Sequence, residues 1–311
     1  MTAPDSVLLP GHDVPLGRYT VVRRLLPQRA RRMVGAWCFV DHFGPDDVSD
    51  SPGMRVPPHP HTGLQTVSWL VEGAILHRDS LGSLQPITPG QLNVMTSGRG
   101  ISHSEESPVP HPPVMHGLQL WVALPDSARH GAPRFDHYPD VPGFERDGAR
   151  VAVVVGDLDG VRSPALACTP LVGAEIVLEP GATLRLPLAP SFEYGAVAMT
   201  GTAEVAGAEL KPGVLLYLDR GRHDLTLSSV DGARLFLLGG EPFDEPLVMW
   251  WNFVGRTHEE IAEARADWEH DRVAGGDRFG TVTGYAGDPL PAPDLPTVRL
   301  KARGRDGTVR G

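Results

Sequence analysis

The chain predicts an all-β fold: two tandem β-barrels followed by one short C-terminal helix. Three observations carry that expectation. The 311 residues include 36 glycines and 31 prolines, which punctuate short β-branched and aromatic runs, as many short strands joined by tight turns require. A spacing recurs: Thr88-Pro-Gly90, five residues, Thr96-x-Gly98 is echoed by Lys211-Pro-Gly213, five residues, Asp219-x-Gly221. That is repetition on the scale of a whole barrel. Helical signals gather in one place, where Thr257-x-x-Glu260 makes a capping box ahead of Ile261, Ala264, Arg265 and Trp268 on one side. We therefore expect a first barrel over residues 1–147, a second over 148–255, and the helix with its tail over 256–311.

Taken in order, residues 1–18 are broken by proline and glycine and read as a segment lying loosely on the surface. Arg18 to Leu26 alternates as a strand. Arg29, Arg31 and Arg32 follow; such a cluster reads as a solvated loop, with an anion site as the alternative. Gly35 to Phe43 reads as a buried strand ending in a turn at Gly44-Pro45, with His42 as a hydrogen-bonding residue of the interior. Gln65 to Val71 is β-branched and aromatic and stops at Glu72-Gly73. Ala74 to Asp79 runs back with His77 inside it, Pro86 to Met95 adds a strand, and His116 to Ala123 closes the barrel. On that closing strand Gln119 and Trp121 share one face, and Leu118, Leu120 and Val122 share the other. Residues 125–147 lack clear periodicity and read as a surface connection carrying His130 and His137.

From Ala149 the strand pattern restarts, with runs at 150–156, 169–178, 183–188, 192–200, 201–205, 213–217 and 233–239. Pro246 to Phe253 is dense in large apolar side chains. It reads as an inter-domain seam, with Trp250 and Trp251 on opposite faces. The helix opens at Thr257 and reaches about Arg272. After Gly287 the chain turns proline-rich and then basic, through Arg299, Lys301, Arg303, Arg305 and Arg310, and reads as a disordered tail.

A net charge of −10 offers no broad basic face for nucleic acid. Cys38 and Cys168 are too few for a disulfide framework or a zinc ribbon and read as buried thiols of a reducing compartment. No apolar run approaches the roughly 18 residues of a membrane span, and Met1 to Arg18 lacks a basic-then-apolar leader. A cytoplasmic location is expected.

Chemistry concentrates between Gly53 and Glu105. Residues two apart on a strand share a face, so His59 and His61 do, as do His103 and Glu105, while Glu106 turns away. If the two strands are neighbours in one barrel, three imidazoles and one carboxylate converge, and that set is a metal site. His258-Glu-Glu260 repeats the pattern, but in a helical stretch, where positions two apart do not face each other. The second half offers Pro190-Ser191-Phe192-Glu193-Tyr194 in place of the first histidines, and a single His223, so it is expected to be metal-free. Imidazole and carboxylate donors without thiolate suit one divalent transition metal, Fe(II) first and then Mn, Ni, Co or Cu, with coordination positions left open.

The spacing of these residues resembles the two motifs of the cupin barrels, and the run from His59 to Pro108 is similar to the pirin family, a double cupin. The matching pieces are His59-Pro-His61-x-Gly63, Glu72-Gly73, Asp79-Ser80-x-Gly82, Pro89-Gly90 and Met95-Thr96-x-Gly98-Arg99-Gly100-Ile101-x-His103-Ser104-Glu105. The resemblance extends from about Phe39 to Trp268, and the Trp250-Trp251-Asn252-Phe253-Val254 stretch with its helix is similar to a bacterial branch of the family. It implies jelly-roll-like cupin barrels and a metal held by His59, His61, His103 and Glu105. Gln65 stands where a generic cupin carries glutamate, and the last histidine lies two residues later than usual, as the family's Gly-Arg-Gly insertion requires. The resemblance further implies a dioxygenase of the quercetin 2,3-dioxygenase kind, acting on a small aromatic substrate such as a flavonol together with O₂. Glu105 would take the substrate proton, and Gln65 and Gln119 would be pocket residues. A metal-dependent protein that binds a protein partner without catalysis is the competing class; an isomerase or metal hydrolase on the same barrel is a third.

Overall fold

A computed structural model describes residues 6–16 and 20–309. The first barrel packs a seven-stranded sheet against a four-stranded one. The larger sheet runs, in spatial order, Arg134–Tyr138, Leu92–Thr96, Leu64–Glu72, Val114–Ala123, Trp37–Asp47, Thr20–Leu26 and His12–Leu16. Facing it lie Arg55–His61, Ile101–Glu106, Ile75–Asp79 and Leu84–Ile87. The second barrel repeats the plan, with an eight-stranded sheet over a four-stranded one. The helix His258–Ala274 follows, its first turn capped by the Thr257 hydroxyl, which accepts from the Glu260 amide at 3.2 Å. This is the arrangement of two tandem barrels and one helix that the residue pattern predicted.

The two large sheets pack back to back, and strand alternation decides what each residue does there. Leu118, Leu120 and Val122 face the seam with Val67 and Trp69, where they meet Leu171, Val197, Leu215, Phe236 and Leu238 of the second barrel. Each buried side chain of this size contributes about 1.5–3 kcal/mol of apolar burial. Indole groups cross the seam: Trp37 donates to the carbonyls of Val172 and Gly239, at 3.2 and 3.1 Å, and Trp69 donates to Glu175 at 3.1 Å. Gln119 and Trp121, one residue out of phase, look into the first barrel instead.

Several sequence expectations need correction. Ser6–Pro10 does not lie loosely; it pairs with Val214–Leu218 and so extends the sheet of the second barrel, covering what would be a free edge. His12–Leu16 then pairs with Thr20–Leu26 of the first, while residues 1–5 and 17–19, with Arg18, fall outside the described residues. The buried strand does not stop at Gly44-Pro45 but runs on to Asp47, with Gly44 at φ +75° and the register shifting opposite it. The connection over 125–147 holds two short strands, Arg134–Tyr138 and Gly143–Arg146, one on each barrel. Cys168 is exposed, unlike the buried Cys38. Trp250 and Trp251 pack beside Phe253, Trp268 and Phe279 under the helix rather than in the inter-barrel seam.

The basic tail is not a free segment either. The Leu290 amide donates to the Pro58 carbonyl at 2.8 Å, Arg303 bridges Leu247, and Arg305 reaches the fully buried carboxylate of Glu193. That carboxylate also accepts from the Gly35 amide at 2.7 Å and the Tyr217 hydroxyl at 2.8 Å. The tail therefore supplies a cation that a buried acid requires. A proline-rich, basic composition concealed this because no local pattern announces a partner more than a hundred residues away.

His42 serves the interior as expected: its Nε2 lies 2.9 Å from His116 Nε2, away from the other histidines. Burial first, then His116 and Arg23, push its pKa down to about 4. The unfolded chain thus takes a proton that the folded chain refuses, and stability is lost as pH falls from the ordinary histidine range towards about 4. For His42 the loss between about pH 7 and pH 5 is about 2 kcal/mol. Urea denaturation at the two pH values should show His42→Gln less acid-sensitive than the parent by about that amount.

Candidate metal centre

Antiparallel pairing of Arg55–His61 with Ile101–Glu106 sets His103 opposite His59 and Ile101 opposite His61. Residues directly opposite share a face, so His59, His61 and His103 all point into the barrel. Their rings gather with centroids 4.4–5.0 Å apart. All three are buried, and their donor nitrogens lie within 4.8 Å of one another. A register shift between His103 and Glu105, opposite Pro57 and Pro58, places Glu105 across from Val56. On its other side Ile101–Glu106 pairs with Ile75–Asp79, which sets Asp79 beside His103 and His77 beside Glu105.

Hydrogen bonds fix the tautomers of these rings. His59 Nδ1 donates to the Pro57 carbonyl at 2.9 Å and His61 Nδ1 to the Asn252 carbonyl at 3.2 Å, leaving both Nε2 atoms as lone pairs. His77 Nε2 donates to Asp79 at 3.1 Å, so its Nδ1 accepts, and His103 Nδ1 at 3.4 Å supplies the proton. His103 Nε2 is then a lone pair too, and it faces His61 Nε2 at 3.1 Å. Inward lone pairs at such a distance repel unless a cation lies among them. Burial depresses all three imidazoles, His59 to about 4 and His61 and His103 well below the ordinary histidine value, so protonation does not resolve the repulsion near neutral pH. The donor set fits a metal ion, with the second ring nitrogen of each ligand held by the protein.

Glu105 lines the same cavity, but its carboxylate groups most closely with His77 and His103, not with all three inward imidazoles. Gln119 donates to it at 3.4 Å, and the Ser68 hydroxyl lies 3.5 Å away and 2.8 Å from the Gln119 carbonyl oxygen. Burial raises the Glu105 pKa above the usual carboxylate range. Glu106 faces the other way, ion-paired with Arg55 and Arg78.

Gln119 lines the cavity as expected, whereas Gln65 does not. On Leu64–Glu72 it is Thr66 and Ser68 that sit opposite Trp121 and Gln119, so alternation turns Gln65 to the other face. There it donates to Thr96 Oγ1 at 2.9 Å and to the Leu166 carbonyl at 3.1 Å. The sequence reading missed His77 and Asp79 as supports, although their His-x-Asp alternation repeats the spacing of the other two pairs. It also missed Trp251, Asn252 and Leu290, which come from distant segments and close the cavity. Trp251 adopts φ +52°, which is unusual for a bulky residue. The turn it makes between Val248–Trp250 and Phe253–Gly255 brings the Asn252 carbonyl to His61.

The cavity measures about 440 Å³, within the range of small-molecule sites. One wall is a continuous stack. The Trp121 and His61 rings meet nearly at right angles with centroids 5.1 Å apart, the Phe39 and Trp121 rings stack with centroids 3.9 Å apart, and the Arg24 guanidinium sits 4.4 Å over Phe39. Arg24 in turn grips the buried Asp41 through two bonds of 2.9 and 2.8 Å. Such a wall suits a planar aromatic guest.

Comparison with known proteins agrees with this geometry. The Pirin family model matches residues 19–122, and that of the pirin C-terminal cupin domain matches residues 173–274. A Pseudomonas aeruginosa protein, provisionally named a quercetin 2,3-dioxygenase, is 46% identical over 281 residues, covering 90% of this chain and 88% of its own. A pirin-like protein of Caulobacter vibrioides is 39% identical, covering 83% and 91%. A crystal structure titled quercetin 2,3-dioxygenase from Acinetobacter baumannii superposes with a TM-score of 0.90 at 44% identity, covering 95% of this chain and 97% of that one. Family match, overall architecture and the buried histidine cluster agree: the chain belongs to the pirin family.

Proposed function

We propose that the protein is a metal-dependent dioxygenase that joins O₂ to a flavonol-like aromatic substrate. His59, His61, His103 and Glu105 would hold one divalent transition ion, Fe(II) foremost, with Mn, Ni, Co or Cu as alternatives. The observation that carries the reading is the set of three inward Nε2 lone pairs beside a buried acid, in a cavity walled by aromatic rings. The ion, when bound, supplies the Lewis-acid and redox chemistry that an O₂ reaction needs.

The remaining work falls to side chains. Trp121, Phe39 and Trp251 flank a planar ring and orient it, while Met249 and Leu290 keep water out. Glu105 takes the proton of the flavonol hydroxyl, because burial makes its carboxylate a stronger base than one in water. Gln119 and Ser68 hold that carboxylate in place. The names of the relatives from Pseudomonas and Acinetobacter support the substrate class. We also place the protein in the cytoplasm, since neither Cys38 nor Cys168 is in a disulfide; among the described residues no helix is long and apolar enough to cross a membrane.

Incubated with quercetin in air, the Fe(II)-loaded protein should bleach the flavonol's visible absorbance, and His61→Ala should abolish the loss. Absorbance that persists with the parent protein rejects the enzyme and favours a partner-binding role. Glu105→Gln should retain metal yet lose turnover by about 10²–10⁴-fold; turnover equal to the parent's rejects the proton-accepting role.

A further inference from the structure

Among the charged side chains of the cavity, one has no counterpart. Arg24 is matched by Asp41, and Glu105 faces the histidines and Gln119. Arg32 lines the same cavity and is half-buried. Among the described residues, however, its guanidinium forms no ion pair or hydrogen bond; only its backbone amide is engaged, donating to the Arg305 carbonyl at 2.8 Å. Burial first, and then the charge of a second cation, Arg303, hold its pKa below the usual arginine value. Its two neighbours in the basic cluster are accounted for: Arg29 is at the surface, and Arg31 stacks over Tyr217 at 3.8 Å. A partly desolvated guanidinium repelled by a second one is costly unless an anion completes it.

The position of that cation is informative. The charges felt by His59, His61 and His103 come from one another and from His77, so Arg32 stands apart from the metal ligands. The stacked wall links the two regions, running from His61 through Trp121 and Phe39 to Arg24. A flat guest lying on that wall with its chelating oxygens at the histidines extends its far edge towards the arginines.

We propose that the substrate of this site is an aromatic carboxylate, its ring on the Trp121–Phe39 wall and its carboxylate paired with Arg32, away from the metal-chelating oxygens. The proposal rests on the flavonol-type chemistry argued above for the chelating end of the molecule. A planar guanidinium pairs with a carboxylate through two parallel hydrogen bonds, which a neutral phenol cannot match. Arg32 is thereby a specificity-determining residue, and an uncharged flavonol is a partial substrate.

The test compares 3-hydroxyflavone with 4′-carboxy-3-hydroxyflavone, titrated anaerobically into the protein as purified and followed by tryptophan fluorescence. The carboxylated probe should bind about ten- to a hundredfold more tightly. Arg32→Gln should erase that preference while leaving 3-hydroxyflavone affinity as it was, and Arg32→Lys should restore part of it. Equal affinities in the parent protein, or a preference that survives in Arg32→Gln, overturn the inference. Consumption of both probes in air is scored separately. An Arg32-dependent preference without consumption sustains this inference and rejects the dioxygenase, whereas consumption without preference does the reverse.

Discussion

The antiparallel pairing between Arg55–His61 and Ile101–Glu106 is the constraint on which the rest of the molecule depends. It sets His59 against His103, and strand alternation then brings His61 to the same side. Slipping that register by a single residue would turn His103 to the outer face and bring Glu106, with its two arginine partners, inward. The arrangement is fixed from both sides, because Ile75–Asp79 pairs with the other edge of Ile101–Glu106 and contributes His77 and Asp79. A chain of hydrogen bonds from Asp79 through His77 to His103 decides which nitrogen of His103 is left bare. Tautomer control through a carboxylate is a familiar support for imidazole ligands. Here it runs through a second imidazole.

The two barrels have diverged from one plan. The first keeps an open interior lined by imidazoles and aromatic rings. The second fills its interior with leucine, valine and alanine, among them Leu184, Leu186, Leu225, Leu227 and Leu237. Its acid, Glu193, opens Glu193–Gly201, the counterpart in the larger sheet of Leu64–Glu72, and it is spent on the Gly35 amide, Tyr217 and Arg305. That group of contacts fastens the loop after Leu26, the second barrel and the C-terminal segment to one another. The loop carries Arg31 and Arg32, so the second barrel positions residues of the first barrel's cavity without entering it. The C-terminal segment does the same from the other side, where Leu290 closes the cavity and Arg303 crowds Arg32.

Much of this was legible in the sequence because it depends on local alternation. His59-x-His61 and His103-x-Glu105 announce shared faces, the repeated Pro-Gly spacing announces two barrels, and the Thr257 capping box announces the helix. What escaped is of a different kind. Gln65 was misplaced because motif position says nothing about phase, and a single step along Leu64–Glu72 separates the cavity face from the seam. Ser6–Pro10 and the segment after Gly287 were read as loose because their partners, Val214–Leu218 and Glu193, lie far away in the chain. Composition reports local tendency, whereas a buried carboxylate or an unpaired strand edge creates demand at a distance. Arg32 illustrates the limit most sharply. Within a run of arginines it looks like its neighbours, and only the folded chain separates the one that stacks, the one that is solvated and the one without an anion.

The central claim is that three bare imidazole nitrogens enclose an ion. Elemental analysis of protein purified without added metal, beside a variant carrying His59→Ala, His61→Ala and His103→Ala together, addresses it directly. The account predicts a single transition-metal ion per chain in the parent and none in the variant, with the variant's far-ultraviolet circular dichroism preserved. A parent protein free of metal, or a folded variant that retains it, would contradict the account.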